Sequence, residues 1–326
     1  MRGLAALLVL ASHFDSNRLV YLEFFQPYRH HAGAIGVYLF FILSGFLIWA
    51  SADKHLPLKS GLYVYFVHRS TRVMPLYYVA LLFGIFLFPL LSNFPVHVDQ
   101  SIILRTVFFT QALNPSVSRA INPVIWTLTH EVIFYCLVPL LFLIRRRFYL
   151  IFAIAIISSW WAHTHQSSTF SPFLQYLFLF VLGMTLSQYK VIPNIITSLF
   201  LIVFSLCLSQ LNIPSIYIYG SWSFALISLV FSSRRYLHTW IVAPLAFVGV
   251  ISYSLYIWHY MLIEIVGPFV YRNGQLQINY PIFTGLSFIA FCLIFSFISY
   301  NLIEKPGQES LRTWLLKRSS KGNAGS

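Results

Sequence analysis

The chain has 326 residues, of which 58% are hydrophobic and only 9% charged, with a mean hydropathy of +0.75. Soluble domains carry about a quarter charged residues, so this chain cannot clothe a water-facing surface, and it reads as an integral membrane protein. The formal net charge of +13 suits a nucleic-acid partner in principle, but its placement along the chain argues against one.

Apolar runs near the about 20 residues that cross a bilayer fall at 2–20, 34–51, 73–91, 124–144, 148–164, 172–189, 194–211, 217–232, 242–266 and 282–303. These predict an all-α polytopic bundle of about ten transmembrane helices. The 32 Phe, 20 Tyr and 8 Trp residues suit aromatic belts at its interfaces. The first run follows directly on Met1 and Arg2, and no small-x-small cleavage site comes after it, so it is expected to stay as a span. The segment 101–113 is apolar but short, and reads as a re-entrant or interfacial helix in a long outer loop. No internal repeat and no pair of broken helices is evident. Residues 1–306 form the expected membrane domain, and 307–326 a short basic cytoplasmic tail.

Basic residues orient the bundle. With the N-terminus inside, Arg2, the 54–72 and 145–147 clusters, Lys190, Arg234, Arg235 and the C-terminal group are cytoplasmic, which is 16 of the 21 Lys and Arg. Only Arg18, Arg29, Arg105, Arg119 and Arg272 fall outside. Both termini are therefore expected in the cytoplasm, and most of the positive charge is accounted for by topology rather than by nucleic acid. Cys136, Cys207 and Cys292 lie singly inside apolar runs, spaced neither as a metal site nor as a redox pair.

Four features carry candidate chemistry. His13 lies inside the first run, where an ionisable side chain is costly and marks a functional site by default. It follows Arg2 by about 16 Å of helix at 1.5 Å per residue, which places it near the bilayer midplane. The plainer reading is a histidine that bonds a neighbouring helix. Arg69 and Arg72 are three apart, so they share a helix face at the cytoplasmic edge of the third span, with Pro75 in its first turn. Two guanidinium groups on one face suit a phosphate, although an ordinary positive-inside anchor explains them equally. Glu131 lies well within the fourth span, with Thr127 and Tyr135 four residues to either side. A carboxylate there requires a partner or a proton, and it serves either chemistry or a helix-locking charge pair. The ninth run is unusually polar, with Ser252, Tyr253, Ser254, Tyr256 and His259. Helix packing accounts for the serines better than for His259.

RGLAALLVLASH, GVYLFFILSGFLI (36–48), RSTRVMP (69–75), WTLTHEVIFY (126–135), SYSLYIWH (252–259) and IEKP (303–306) follow one another in this order. Together they resemble the acyltransferase-3 family of multi-pass membrane O-acyltransferases, from Arg2 to Pro306. The resemblance implies a bundle in the inner membrane that moves an acyl group, commonly acetyl, from cytoplasmic acyl-coenzyme A to a hydroxyl of a cell-surface or lipid-linked carbohydrate. It implies no permanently bound cofactor and no metal. Within it, His13 matches the essential histidine, Arg2 the first-helix arginine, Arg69 and Arg72 the arginine pair, and Glu131 the acid of the fourth-span motif. Phe40, Phe41, Ser44 and Gly45 match the second-span motif. Trp126, Tyr135, Ser44, Tyr253 and His259 are expected to support substrate. Tyr38, Thr127 and His130 depart from the family pattern, which bears on acceptor choice more than on the reaction. Relatives commonly carry several residues ahead of the motif arginine, so a start upstream of Met1 is expected.

A sugar hydroxyl is a weak nucleophile and needs a base as it attacks a thioester, a task for His13. An acyl-histidine route stays open. Glu131 either orients His13 as the acid of a triad does or holds the acceptor. Many relatives fuse a soluble esterase-like domain after the bundle. Here about twenty residues follow the last span, so the acyl group is expected to pass directly to its acceptor or to a separate periplasmic or extracellular partner. The alternative is a non-enzymatic transporter of a sugar, lipid or small acid, with His13 and Glu131 as proton relays.

Overall fold

The computed structural model of the chain describes residues 1–16, 29–92, 94, 98–114, 117–165, 171–190, 194–211, 213–233, 238–272 and 281–322. These residues are helical, and none of them forms a strand. In chain order the helices are α1 (Arg2–Ser16), α2 (Arg29–His55), α3 (Gly61–Phe86), α4 (Phe88–Leu91), α5 (Gln100–Val107), α6 (Trp126–Leu143), α7 (Phe148–Thr164), α8 (Ser171–Tyr189), α9 (Ile195–Ser209), α10 (Ser215–Ser233), α11 (Thr239–Val250), α12 (Ser252–Arg272), α13 (Pro281–Ser299) and α14 (Lys305–Gly322).

Among the described residues, four helices are long and apolar enough to cross a membrane: His30–His55, Trp126–Leu143, Ser215–Ser233 and Ile282–Arg318. A fifth is added if α11 and α12, bent by 74° at their junction, make one span. Arg2–His13, Phe173–Tyr189 and Ile195–Cys207 are apolar but shorter. The far end of the first expected span, 17–20, lies outside the described residues, as do Arg18 and the ends of several connecting loops.

The helix α2 is the axle of the bundle, touching α1, α3, α6, α8 and α10. Its tightest neighbour is α8. A Cβ on Gly45 would strike the carbonyl oxygen of Phe180, and one on Gly183 the carbonyl oxygen of Ile42. The two backbones touch there, as small residues allow in membrane helix pairs. In the same way Gly3 lets α1 lie against Leu245 and Gly249 of α11, just before the bend.

Three sequence expectations change. The third span was expected to begin near 73 with Pro75 in its first turn. Instead α3 begins at Gly61 and Pro75 is interior, because residues 61–72 continue the helix and pack on α14. Tyr63 Oη donates to the Leu315 carbonyl at 2.9 Å, and Gly307 leaves room for the Pro75 ring. The ninth run was expected as one helix, but it breaks at Ile251, where Ser252 Oγ donates to the Gly249 carbonyl at 2.9 Å. The tail expected at 307–326 is helical through Gly322, continuing α13 through a π-helical turn, Tyr300–Glu304. The 101–113 segment is a short helix, α5, followed by a 3-10 turn, Gln111–Leu113. Asp99 caps α5 by accepting from the Ile102 N–H at 2.8 Å, which holds its carboxyl below the usual range.

Two cavities along one helix form the candidate site

The helix α1 carries Arg2 at one end and His13 at the other, and each faces a different cavity. The cavity at the Arg2 end, called inner after the expected orientation, has a volume of about 50 Å³ and is walled by Arg2, Ser44, Arg72, Glu131 and Tyr253 among others. The cavity at the His13 end, called outer in the same way, has a volume of about 600 Å³ and is walled by His13, Tyr38, Arg119, Trp126, Tyr176 and Tyr260 among others. Val37 of α2 lines both. Trp126 and Thr127, adjacent on α6, divide between them, Trp126 outward and Thr127 inward.

In the inner cavity Glu131 accepts from Tyr135 Oη at 2.6 Å and from Ser44 Oγ at 3.4 Å. The i, i+4 spacing on α6 brings Tyr135 to it, and α2 brings Ser44. Thr127, on the same stripe, turns instead to Tyr256 Oη at 2.8 Å, and that hydroxyl donates to the Val124 carbonyl at 2.9 Å. Tyr253 Oη donates to the Val73 carbonyl of α3 at 2.9 Å. Arg72 lines the cavity and Arg69 does not, so the expected pair is divided. Arg2 and Arg72 face the same space, while Arg69 lies one turn back, where its charge and that of Arg72 act on Tyr135. Among the described residues, none of the three arginines has a carboxylate within ion-pair distance, and the Nε atoms of Arg2 and Arg69 are buried without a hydrogen-bond partner. Guanidinium groups held this way suit an anionic ligand.

At the outer cavity the His13 ring donates from Nδ1 to the Val9 carbonyl at 2.8 Å. A carbonyl only accepts, so the Nδ1 proton is fixed and Nε2 is the basic nitrogen. Ser12 Oγ donates to the same carbonyl at 2.7 Å. The His13 ring meets His259 edge-on at 5.0 Å and Tyr260 at 5.6 Å between centroids. His259 has the same tautomer, its Nδ1 donating to the Tyr256 carbonyl at 2.8 Å, and its Nε2 is buried without a partner. Trp126 packs on Tyr176 at 5.5 Å, and Tyr176 on Tyr38 at 6.0 Å, which makes an aromatic wall.

The triad expectation for Glu131 fails. Its hydrogen-bond partners are Tyr135 and Ser44, and the backbone of α1 orients His13. Glu131 and His13 belong to different cavities because they stand at different heights along the bundle. Two residues went unnoticed in the sequence. Glu304, buried at the π turn, accepts from Ser254 Oγ at 2.6 Å and lies near enough to Arg72 for their charges to interact. Its only signal was its place in IEKP. Arg119 lines the outer cavity but counted only as an outer charge. Among the described residues no group of three His, Cys, Asp or Glu is placed to hold a metal.

A family model described as an acyltransferase domain matches residues 1–300. The exopolysaccharide production protein ExoZ of Rhizobium meliloti is 35% identical over 32% of this chain and 34% of its own length. A putative acetyltransferase of Acidianus two-tailed virus is 28% identical over 82% of this chain and 83% of its own. A putative O-acetyltransferase of Staphylococcus aureus is 26% identical over 94% of this chain and 56% of its own. The chain thus spans about a third of the length of ExoZ and about half that of the staphylococcal protein. No solved structure is significantly similar.

Proposed function

The chain belongs to the acyltransferase family whose model covers its residues 1–300, and from that premise we propose a ten-span O-acyltransferase of the inner membrane, with both termini cytoplasmic. It takes an acyl group, acetyl in the simplest case, from cytoplasmic acyl-coenzyme A and sets it on a hydroxyl of a cell-surface or lipid-linked carbohydrate. The observation that carries this reading is the pair of cavities that share Val37. One is lined by guanidinium groups without carboxylate partners, and the other by a histidine with a fixed tautomer.

The donor's phosphates bind Arg2 and Arg72 in the inner cavity, with the charge of Arg69 behind them. Its pantetheine arm carries the thioester toward Val37. Glu131, held by Tyr135 and Ser44, stays on the donor side and balances the arginines. The acceptor enters the outer cavity, its ring against the Trp126–Tyr176 wall. As the acceptor oxygen attacks the thioester carbonyl, His13 Nε2 takes the hydroxyl proton. The C–S bond breaks, and the coenzyme A thiolate leaves and recovers that proton. A base in this role contributes about a hundred- to ten-thousandfold.

The transporter reading draws on one observation, the 74° break between α11 and α12, since broken helices line many transport sites. Purified protein in nanodiscs with radiolabelled acetyl-coenzyme A and cell-envelope glycans separates the two. Label moves to glycan with wild type and falls by about a thousandfold in His13→Ala. Absence of glycan label in every extract, together with wild-type behaviour of His13→Ala cells, would sink the enzyme reading.

A further inference from the structure

We propose that Arg119 is an anion-binding residue for the acceptor, so that the carbohydrate entering the outer cavity carries a carboxylate or phosphate group close to the hydroxyl that is acylated. This rests on the outer cavity being the acceptor side. Arg119 lines that cavity together with His13 and Tyr176, and its charge acts on both. Among the described residues it has no carboxylate partner. The ion pair they do contain, Arg145 with Asp53 at 3.6 Å, is far along the bundle at the other end of α2. No Asp or Glu is among the described residues that line the outer cavity, and the ionisable groups among them are Arg119, His13, His30 and tyrosines. Arg119 is itself exposed at this wall, open to an anion that enters the cavity from solvent. The planar guanidinium fork matches a carboxylate or a phosphate oxygen pair.

The reaction supplies a second reason. When His13 takes the acceptor's proton, its imidazolium faces the Arg119 cation, and like charges repel. An anionic group of the acceptor, seated on Arg119, removes that opposition at the moment the proton moves. The aromatic wall accepts the sugar face without fixing its rotation, and the anion on Arg119 fixes it. Arg119 thus distinguishes acceptors, while Arg2 and Arg72, in the other cavity, meet only the donor.

The test uses the full chain in phosphatidylcholine nanodiscs and titration calorimetry with two matched probe pairs. One pair is a galacturonic acid trisaccharide against its neutral galactose counterpart. The other is a polyprenyl-phosphate-linked sugar against the uncharged prenyl glycoside. At least one anionic probe is expected to bind about tenfold or more tightly than its neutral match, the worth of a charge-assisted hydrogen bond. That preference should vanish in Arg119→Gln and persist in Arg119→Lys. Which pair shows it assigns the anion to a sugar carboxylate or to a lipid-linked phosphate. Equal binding within both pairs overturns the proposal, and so does a preference that survives Arg119→Gln. It is overturned too if Arg119→Gln slows transfer equally for neutral and anionic acceptors without changing their binding, since Arg119 then acts on the transition state. Coenzyme A affinity in the same discs verifies that Arg119→Gln is folded. Release of coenzyme A from acetyl-coenzyme A tests the acyltransferase reading separately.

Discussion

The two cavities share a helix and a valine but differ in the ionisable groups they hold. The inner one gathers Arg2, Arg72 and Glu131 around small hydroxyl residues, a charged recess that suits a polyanion. The outer one sets His13 and Arg119 in a wall of tyrosine and tryptophan, which suits a ring with hydroxyl groups. Aromatic rings line both spaces, Phe40, Phe41, Tyr253 and Tyr256 on one side and Tyr38, Trp126, Tyr176 and Tyr260 on the other, and what differs is the ionisable set at each end of α1.

That contrast can be broken at its joint. Val37→Trp should stop transfer by about a thousandfold or more, as misplacing reacting groups does, while coenzyme A still binds the inner cavity. Loss of donor binding in parallel would mean that the cavities are one. A smaller effect separates the arginines. Arg72→Ala should weaken coenzyme A binding by about ten- to a hundredfold and Arg69→Ala by less, since only Arg72 lines the cavity. Equal losses, read by calorimetry, would restore the pair as a joint clamp. Glu131→Gln probes the division further, because removing a negative charge beside the phosphate site should raise donor affinity yet leave the pH profile of transfer unchanged, His13 being held by Val9. A displaced profile would return Glu131 to a triad. The smallest effect is expected for Ser254→Ala, which removes the hydrogen bond to Glu304. It should cost about 1–3 kcal/mol of stability in a thermal melt, and leave acceptor choice untouched.

Much of this was legible in the residues. Composition alone pointed to an apolar helical bundle, and a lone His13 in an apolar run drew notice to a residue that lines a cavity. The spacing of Tyr135 from Glu131 foretold their hydrogen bond, because i, i+4 neighbours meet within one helix. Spacing failed where the partner lay on another helix. Thr127 has the same offset, yet it is claimed by Tyr256 of α12. The break at Ile251 was hidden because the run 242–266 is apolar on both sides of it, and the proline in the run, Pro244, lies inside α11 rather than at the bend. Arg119 was misread for a different reason. Counting charges by loop gives the side of the membrane, not the cavity that an arginine faces.

The hydrogen bond from His13 to the carbonyl one turn earlier carries a last consequence. A triad is an agreement among separate stretches of chain, and it dissolves when any of them moves. Here the tautomer is set within α1 itself, so it travels with the helix. Any shift of α2, α6 or α12 against α1 would therefore leave that hydrogen bond in place. The ring would keep its proton on Nδ1 and present Nε2 in each such arrangement.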